Sequence, residues 1–587
     1  MIEKTKRILP YILIMIFILI FFIQHSIFIK HDNSIPFSDS SRQLHKVLEY
    51  MRINKLAPSQ IIHRDPYPPL AHFVCLLFFK LMGINVEASQ YCLFFYVVIF
   101  LLALYGIGYE YGGHFSGFAV MALGASSPHI LNYSRYFFLD FPQTAMSALT
   151  FYMILKTREY SSRWLSIILG ITLALGFYTK WSIMFFLAVP ILWFILPQII
   201  KSWKSAVAAV LSMGLLSFYA SRLYHFINMD QEFTVGEIFL NYYLFNFILP
   251  GVLAIASLLL IERLGRKKWS RKETESVSSV INFLIMSVIF VFMTTPWMLW
   301  STRGLHEKFL LDRGNLGFQI ERLICHIGTF YKCFNYIQIF IALGLISIIV
   351  LQFVRTKHKA EHMSLYSRVL LPLNLIFIFI FMSFMGGASI RYILSFVIFA
   401  AALGGWWTGW LGKARIPVTT VIIILCLVSM TGWIFIPESS DRLTEIHPIS
   451  DGGTYFKFYK YPLTGRYPDK TDYRPDRLLD EIYKVAGNTR ISIYWVGREL
   501  QPIEASYIQF LAHKRNLGYN IKYLNNNHDD GYSLTEGRYY IISSNNHRFI
   551  NSAFERIRMN HPDSKLDYYV YDFKKKNYKV VVMIFSE

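Results

Sequence analysis

The chain has 587 residues, of which 54% are hydrophobic, 17% aromatic and only 16% charged. That balance excludes a disordered chain, and long apolar runs before about residue 436 exclude a single water-soluble globule. Lys and Arg outnumber Asp and Glu by 58 to 38, a net charge of +20, which in so apolar a chain reads as loop charge and contact with anionic lipid or phosphate rather than nucleic-acid binding.

A basic start ending at Arg7 precedes the first apolar run, residues 8–30. The run is too long and bulky for a cleaved signal peptide, so it reads as a first span with its N-terminus in the cytoplasm. Further candidate spans cover 90–108, 114–131, 142–158, 163–180, 182–200, 205–222, 239–261, 278–300, 334–354, 367–385, 391–411 and 416–436, giving about thirteen in all. The run at 68–83 is short and opens on Pro68-Pro69. If it crossed, the later basic loops would face outward, so the positive-inside rule makes it interfacial or re-entrant. The basic connections near 156–163, 201–204, 262–272, 355–362 and 413–415 then face inward. Loops 31–67, 132–141, 223–238 and 301–333 face outward, as does everything after 436.

From Pro437 onward the chain turns polar. β-rich runs at 490–496, 520–524, 539–543, 568–573 and 578–585, with helical patterns at 475–486 and 503–514, read as a small soluble α/β domain on the outer face. The expected architecture is a polytopic α-helical membrane domain, 1–436, followed by this extracytoplasmic domain, 437–587. Five cysteines make no disulfide framework, although Cys325 and Cys333 share one outer loop.

The outer loops concentrate reactive groups. The first carries Asp39, Arg42 and His45, and leads to Tyr67-Pro68-Pro69-Leu70; the second runs Ser134-Arg135-Tyr136-Phe137-Phe138-Leu139-Asp140. Taken singly, Asp39 reads as a loop acid or helix N-cap, Asp140 as a cap of the next span, and the arginines as headgroup contacts. No HExxH motif or clustered Cys/His spacing marks a zinc site.

Their order on one face resembles the GT-C membrane glycosyltransferases, in particular the protein O-mannosyltransferase and aminoarabinose (lipid A) transferase branch. That branch has an acid and a following Arg in its first outer loop, then Pro-Pro-Leu, then a Ser-Arg segment ending in a second Asp. Gly176-Phe-Tyr-Thr-Lys180 and Arg391-Tyr392-Ile393-Leu394 extend the likeness, which covers about residues 8–436. Two positions depart: Ser40 stands where many relatives have Glu, and Tyr67 where aminoarabinose transferases have Lys.

The resemblance implies transfer of a sugar from a polyprenyl-phosphate donor to a hydroxyl acceptor on a lipid, glycan or protein, with inversion. It implies Asp39 as catalytic base or acceptor-orienting acid, Asp140 as a second acid that orients the acceptor, tunes Asp39 or shares a metal with it, and Arg42, Lys180 and Arg391 as phosphate ligands. Tyr67, Pro68, Pro69, Arg135 and Tyr392 would line the donor and acceptor pocket. Paired carboxylates can hold Mg or Mn, and the resemblance leaves a metal open. Multi-pass transport of a lipid-linked glycan and a non-catalytic scaffold are the competing readings. A transporter usually sets its ionisable groups at mid-membrane on broken helices, often in related halves, whereas the acids here lie in loops.

Overall fold

The computed structural model describes residues 2–32, 36, 39–52, 67–227, 246–265, 269–311, 323, 337–353, 365–384 and 394–435. In the tail it describes 479–480, 482–483, 492–497, 505–515, 517, 519–524, 539–544, 569–573 and 578–584. The helices are α1 (Ile2–His31), α2 (Asp39–Arg52), α3 (Leu70–Met82), α4 (Val86–Ala125), α5 (Pro128–Tyr133), α6 (Asp140–Lys156), α7 (Arg163–Thr179), α8 (Ile183–Ile200) and α9 (Trp203–Ile227). They continue with α10 (Leu249–Gly265), α11 (Arg271–Leu311), α12 (Ile337–Phe353), α13 (Leu365–Phe384), α14 (Phe396–Gly405) and α15 (Arg415–Phe435).

Among the described residues, five helical stretches are long and apolar enough to cross a bilayer: Ile8–His31, Val86–Ala125, Ile183–Ile200, Arg271–Met298 and Gly412–Thr431. Shorter apolar helices accompany them, including Leu70–Met82 and Arg163–Thr179. Leucine, isoleucine and phenylalanine side chains on α1, α8, α9 and α15 stay exposed, as a lipid-facing surface requires. The chain is an integral membrane protein.

The 40-residue α4 is a hairpin rather than one rod. Residues 104 and 124 would lie about 30 Å apart along a straight helix. A methyl group placed on Gly124 would instead meet the Leu104 side chain, and one on Gly108 would meet the Ser116 carbonyl. The chain reverses at Gly112 and Gly113, and Gly113 adopts φ 76°, a conformation open to glycine at little cost. Ser116 clasps the turn: its hydroxyl donates to the Trp406 carbonyl (2.6 Å) and accepts from the Gly409 N–H (3.0 Å). The two arms match the stretches expected as separate spans, 90–108 and 114–131, except that the second arm ends at Ala125. There Ser126 closes the helix, and Pro128 starts α5 in its first turn.

α4 packs against α6, α14 and α15, and α7 lies between α6 and α11. At one end of the bundle the chain turns from α6 to α7 through three consecutive left-handed residues, Arg158, Glu159 and Tyr160. Such a run is costly for residues other than glycine, and neighbours hold it in place. The buried Tyr160 hydroxyl donates to the Ile191 carbonyl, and Asn282 donates to the Tyr160 carbonyl. Ion pairs gather at this same end: Arg163–Glu262 (2.7 Å), Lys156–Glu110 (2.8 Å) and Lys204–Glu273 (3.0 Å).

Five tail strands, β1 (Ser492–Gly497), β2 (Asn520–Leu524), β3 (Tyr539–Ser544), β4 (Tyr569–Phe573) and β5 (Tyr578–Ile584), form one sheet in the order β2-β1-β3-β5-β4. β1 pairs in parallel with β2 and β3, while β5 runs antiparallel to β3 and β4. Helix α16 (Ala505–Lys514) connects β1 to β2, as a parallel pair requires of its crossover. α16 also packs on α2, where the His45 and His513 rings lie 4.5 Å apart.

Candidate functional site

The end of the bundle opposite the charged turns gathers the start of α2, the approach to α3, the start of α6 and the end of α7. Here a small open cavity is lined by Asp39, Gln43, Tyr67, Phe138, Leu139, Asp140 and Lys180. Residues from two loops and the ends of three helices therefore converge on one space.

α2 is amphipathic: Leu44, Val47 and Leu48 are buried, while Arg42 stays exposed. Asp39 in its first turn favours the helix macrodipole. Its carboxylate meets the Arg42 guanidinium at 3.2 Å, with the two side chains 25% and 63% exposed, so the pair is loose and easily opened. On the same face Gln43 Oε1 lies 2.6 Å from His72 Nε2, tying α2 to α3.

Asp140 is the first residue of α6 and Lys180 terminates α7. The buried Lys180 ammonium donates to Asp140 Oδ1 at 2.6 Å, a charge-assisted bond sealed by its surroundings. Thr144, one turn further along α6, hydrogen-bonds the Asp140 carbonyl (2.8 Å) and shares a 3.2 Å hydroxyl contact with Ser395. The Tyr67 ring lies beside the pair, its centroid 5.9 Å from Lys180 Nζ. Pro68 is buried, and Pro69 leads directly into α3.

The structure corrects one expected placement. Arg135 does not line the cavity: it is fully buried, its guanidinium 3.8 Å from the Phe28 ring centre and donating to Gln24 Oε1 (3.1 Å). Burial lowers its pKa to about 10, with Tyr136 and Asp32 drawing it back upward, so it remains cationic at neutral pH. It fastens the 134–139 loop to α1, because a buried guanidinium needs acceptors and a ring face, and α1 offers both. Lys180 reaches the cavity, where its ammonium pairs with Asp140. Arg391 and Tyr392 lie outside the described residues.

Sequence reasoning missed Gln43, Phe138 and Leu139. Gln43 stands one helical turn from Asp39, and that spacing was the available signal. Phe138 and Leu139 carry no chemistry that a motif would mark. A metal shared by Asp39 and Asp140 does not fit this arrangement, since the Lys180 ammonium already occupies the cation position against Asp140. Among the described residues no three His, Cys, Asp or Glu side chains cluster as ligands.

Residues 66–225 match the dolichyl-phosphate-mannose-protein mannosyltransferase family. The matched stretch spans Tyr67 through Lys180, and so contains most of the cavity lining. No curated protein matches the chain. Among solved structures, ArnT from Cupriavidus metallidurans bound to undecaprenyl phosphate superposes with a TM-score of 0.50 at 10% identity, over 98% of this chain and 97% of that one. An oligosaccharyltransferase from Archaeoglobus fulgidus, in complex with zinc and sulfate, gives 0.40 at 11% identity over 94% and 72%. The chain thus has an ArnT-like membrane fold, and the family match covers residues 66–225 of it.

Proposed function

We propose that the protein is a glycosyltransferase that moves a sugar from a polyprenyl-phosphate donor to a hydroxyl acceptor at the extracytoplasmic face of the cytoplasmic membrane. The observation that carries this reading is the convergence of Asp39, Tyr67, Asp140 and Lys180 on one cavity at one end of an apolar bundle. The family match over 66–225 supports it, as does the ArnT likeness, since that ArnT structure holds undecaprenyl phosphate.

In this reading the acceptor hydroxyl attacks the anomeric carbon of the donor while the carbon–oxygen bond to phosphate breaks. The hydroxyl proton passes to Asp39, and polyprenyl phosphate departs with the bonding electrons, inverting the anomeric centre. Asp39 suits the base because its partner Arg42 is exposed and the pair is weak. Asp140 is engaged by Lys180, and its role is to hold Lys180 and the α6–α7 corner in place. Arg42, paired with the lining residue Asp39, and Arg391, four residues before Ser395 in sequence, are the proposed donor-phosphate ligands.

About thirteen spans, a membrane domain 1–436 with a cytoplasmic N-terminus and an extracytoplasmic α/β tail 437–587 complete the proposal. The concentration of ion pairs at the end opposite the cavity supports that orientation. Incubating the purified protein with a panel of radiolabelled polyprenyl-phosphate sugars and membrane extract tests the function. Label in a product of inverted anomeric configuration is expected; no transfer from any donor overturns it.

A further inference from the structure

Gln43 is a cavity-lining residue that the proposed reaction leaves without a task. It stands on α2 one turn after Asp39, so the two side chains share a helical face. Its side chain is 3% exposed, and among the described residues it makes one hydrogen bond, from Oε1 to His72 Nε2 at 2.6 Å. A carboxamide also carries two N–H donors. Those of Gln43 meet no described partner, and their nitrogen is not sealed in the interior, so they open onto the cavity.

His72 decides which end of the amide faces a ligand. The imidazole is fully buried on α3, and among the described residues no partner meets its Nδ1. A proton on Nδ1 would be a buried donor without an acceptor, which costs more than a bare lone pair. The proton therefore sits on Nε2 and is donated to Gln43 Oε1. With its oxygen held there, Gln43 turns its NH2 group to the cavity.

The other lining groups define what that donor meets. Asp39 and Asp140 face one lining cation, Lys180, so the charged lining sums to one negative charge and disfavours a phosphate inside it. The carboxylates can accept from hydroxyls, the amide can donate to one, and Tyr67, Phe138 and Leu139 add apolar surface. Such a set suits an uncharged ring with hydroxyls at its edge and C–H groups on its faces. An ammonium group opposite Gln43 would set hydrogen against hydrogen.

Resting on the donor reading above, we infer that this cavity receives the transferred sugar, that the sugar is uncharged, and that Gln43 Nε2 donates to one of its hydroxyl oxygens. His72 is the positioning residue that fixes the direction of the amide. The donor phosphate stays outside this lining.

The test measures binding to the full-length protein in nanodiscs of undecaprenyl phosphate, bare or carrying mannose, glucose, galactose, arabinose or aminoarabinose. The quantity compared is the ratio of affinities for the preferred uncharged glycolipid and the bare lipid, which a general loss of fold or of lipid binding leaves unmoved. Gln43→Met is expected to lower that ratio about 5-fold, the scale of one neutral hydrogen bond. Gln43→Glu keeps an acceptor for His72 but turns an oxygen to the cavity, and should lower the ratio about 10-fold or more. Its charge repels the more anionic bare lipid harder, so repulsion alone would raise the ratio. His72→Leu frees the amide to turn and should lower the ratio about 3-fold. An unchanged ratio in both Gln43 variants overturns the role of Gln43 and leaves the donor reading standing; an unchanged ratio in His72→Leu overturns the positioning role. Preference for the aminoarabinosyl lipid over the other four overturns the uncharged sugar. Binding of bare lipid but of no glycolipid overturns the sugar pocket, and binding of neither overturns the donor reading as well.

Discussion

Asp140 and Lys180 share a burial so complete that neither charge is affordable alone. Removing one partner by Asp140→Asn or Lys180→Met should cost about 3 kcal/mol of stability, whereas the double variant should recover much of it. Thermal melts of the four proteins in detergent read that coupling, and additive losses would mean the two side chains act independently. The exposed pair Asp39–Arg42 should behave differently, with Arg42→Ala shifting stability by about 0.5 kcal/mol or less. Ordered motifs made Asp39, Tyr67, Asp140 and Lys180 legible in the sequence, and the structure brings all four to one cavity. Their partnerships were not legible. Which charges pair depends on how α6 and α7 meet, and Asp140 and Lys180 are forty residues apart in the chain. Arg135 misled for a related reason: an arginine beside an outer-loop serine looks solvent-facing until α1 supplies Phe28 and Gln24 to cover it.

Among the elements, α2 matters most, because it carries Asp39 and Gln43 and is gripped from two sides. His72 on α3 bonds Gln43, and α16 of the tail lays His513 beside His45. A His45→Cys/His513→Cys protein should therefore cross-link with a short bismaleimide in the folded state, and no cross-link would mean that α16 does not rest on α2. The α4 hairpin gives a second element-scale prediction. Gly113 at φ 76° and Gly112 beside the Trp406 carbonyl both resist a side chain. Gly113→Ala should cost about 1 kcal/mol, read as a lowered melting temperature. Hydropathy located both arms of that hairpin, but the reversal hangs on Ser116 reaching Trp406, a contact 290 residues apart that no local pattern encodes. The strands were legible from β-branched and aromatic runs between polar stretches, whereas their order is not, since β5 inserts between β3 and β4.

Across the whole molecule, the two ends of the bundle divide the work. One holds the left-handed turn and the ion pairs Arg163–Glu262, Lys156–Glu110 and Lys204–Glu273; the other holds the cavity. The positive-inside rule, applied to loop charge alone, expects the end rich in lysine and arginine to face the cytoplasm. Sugar and acceptor lay beyond the sequence, because they depend on the shape of a cavity wall contributed in part by apolar residues such as Phe138 and Leu139. In the proposed reaction Asp39 is the base, so the most direct test compares sugar transfer from a polyprenyl-phosphate donor by wild type and Asp39→Asn at equal expression and equal melting temperature. Asp39→Asn should retain donor binding and lose transfer by at least about 100-fold, the typical contribution of a positioned general base. Transfer at the wild-type rate by Asp39→Asn would contradict the account.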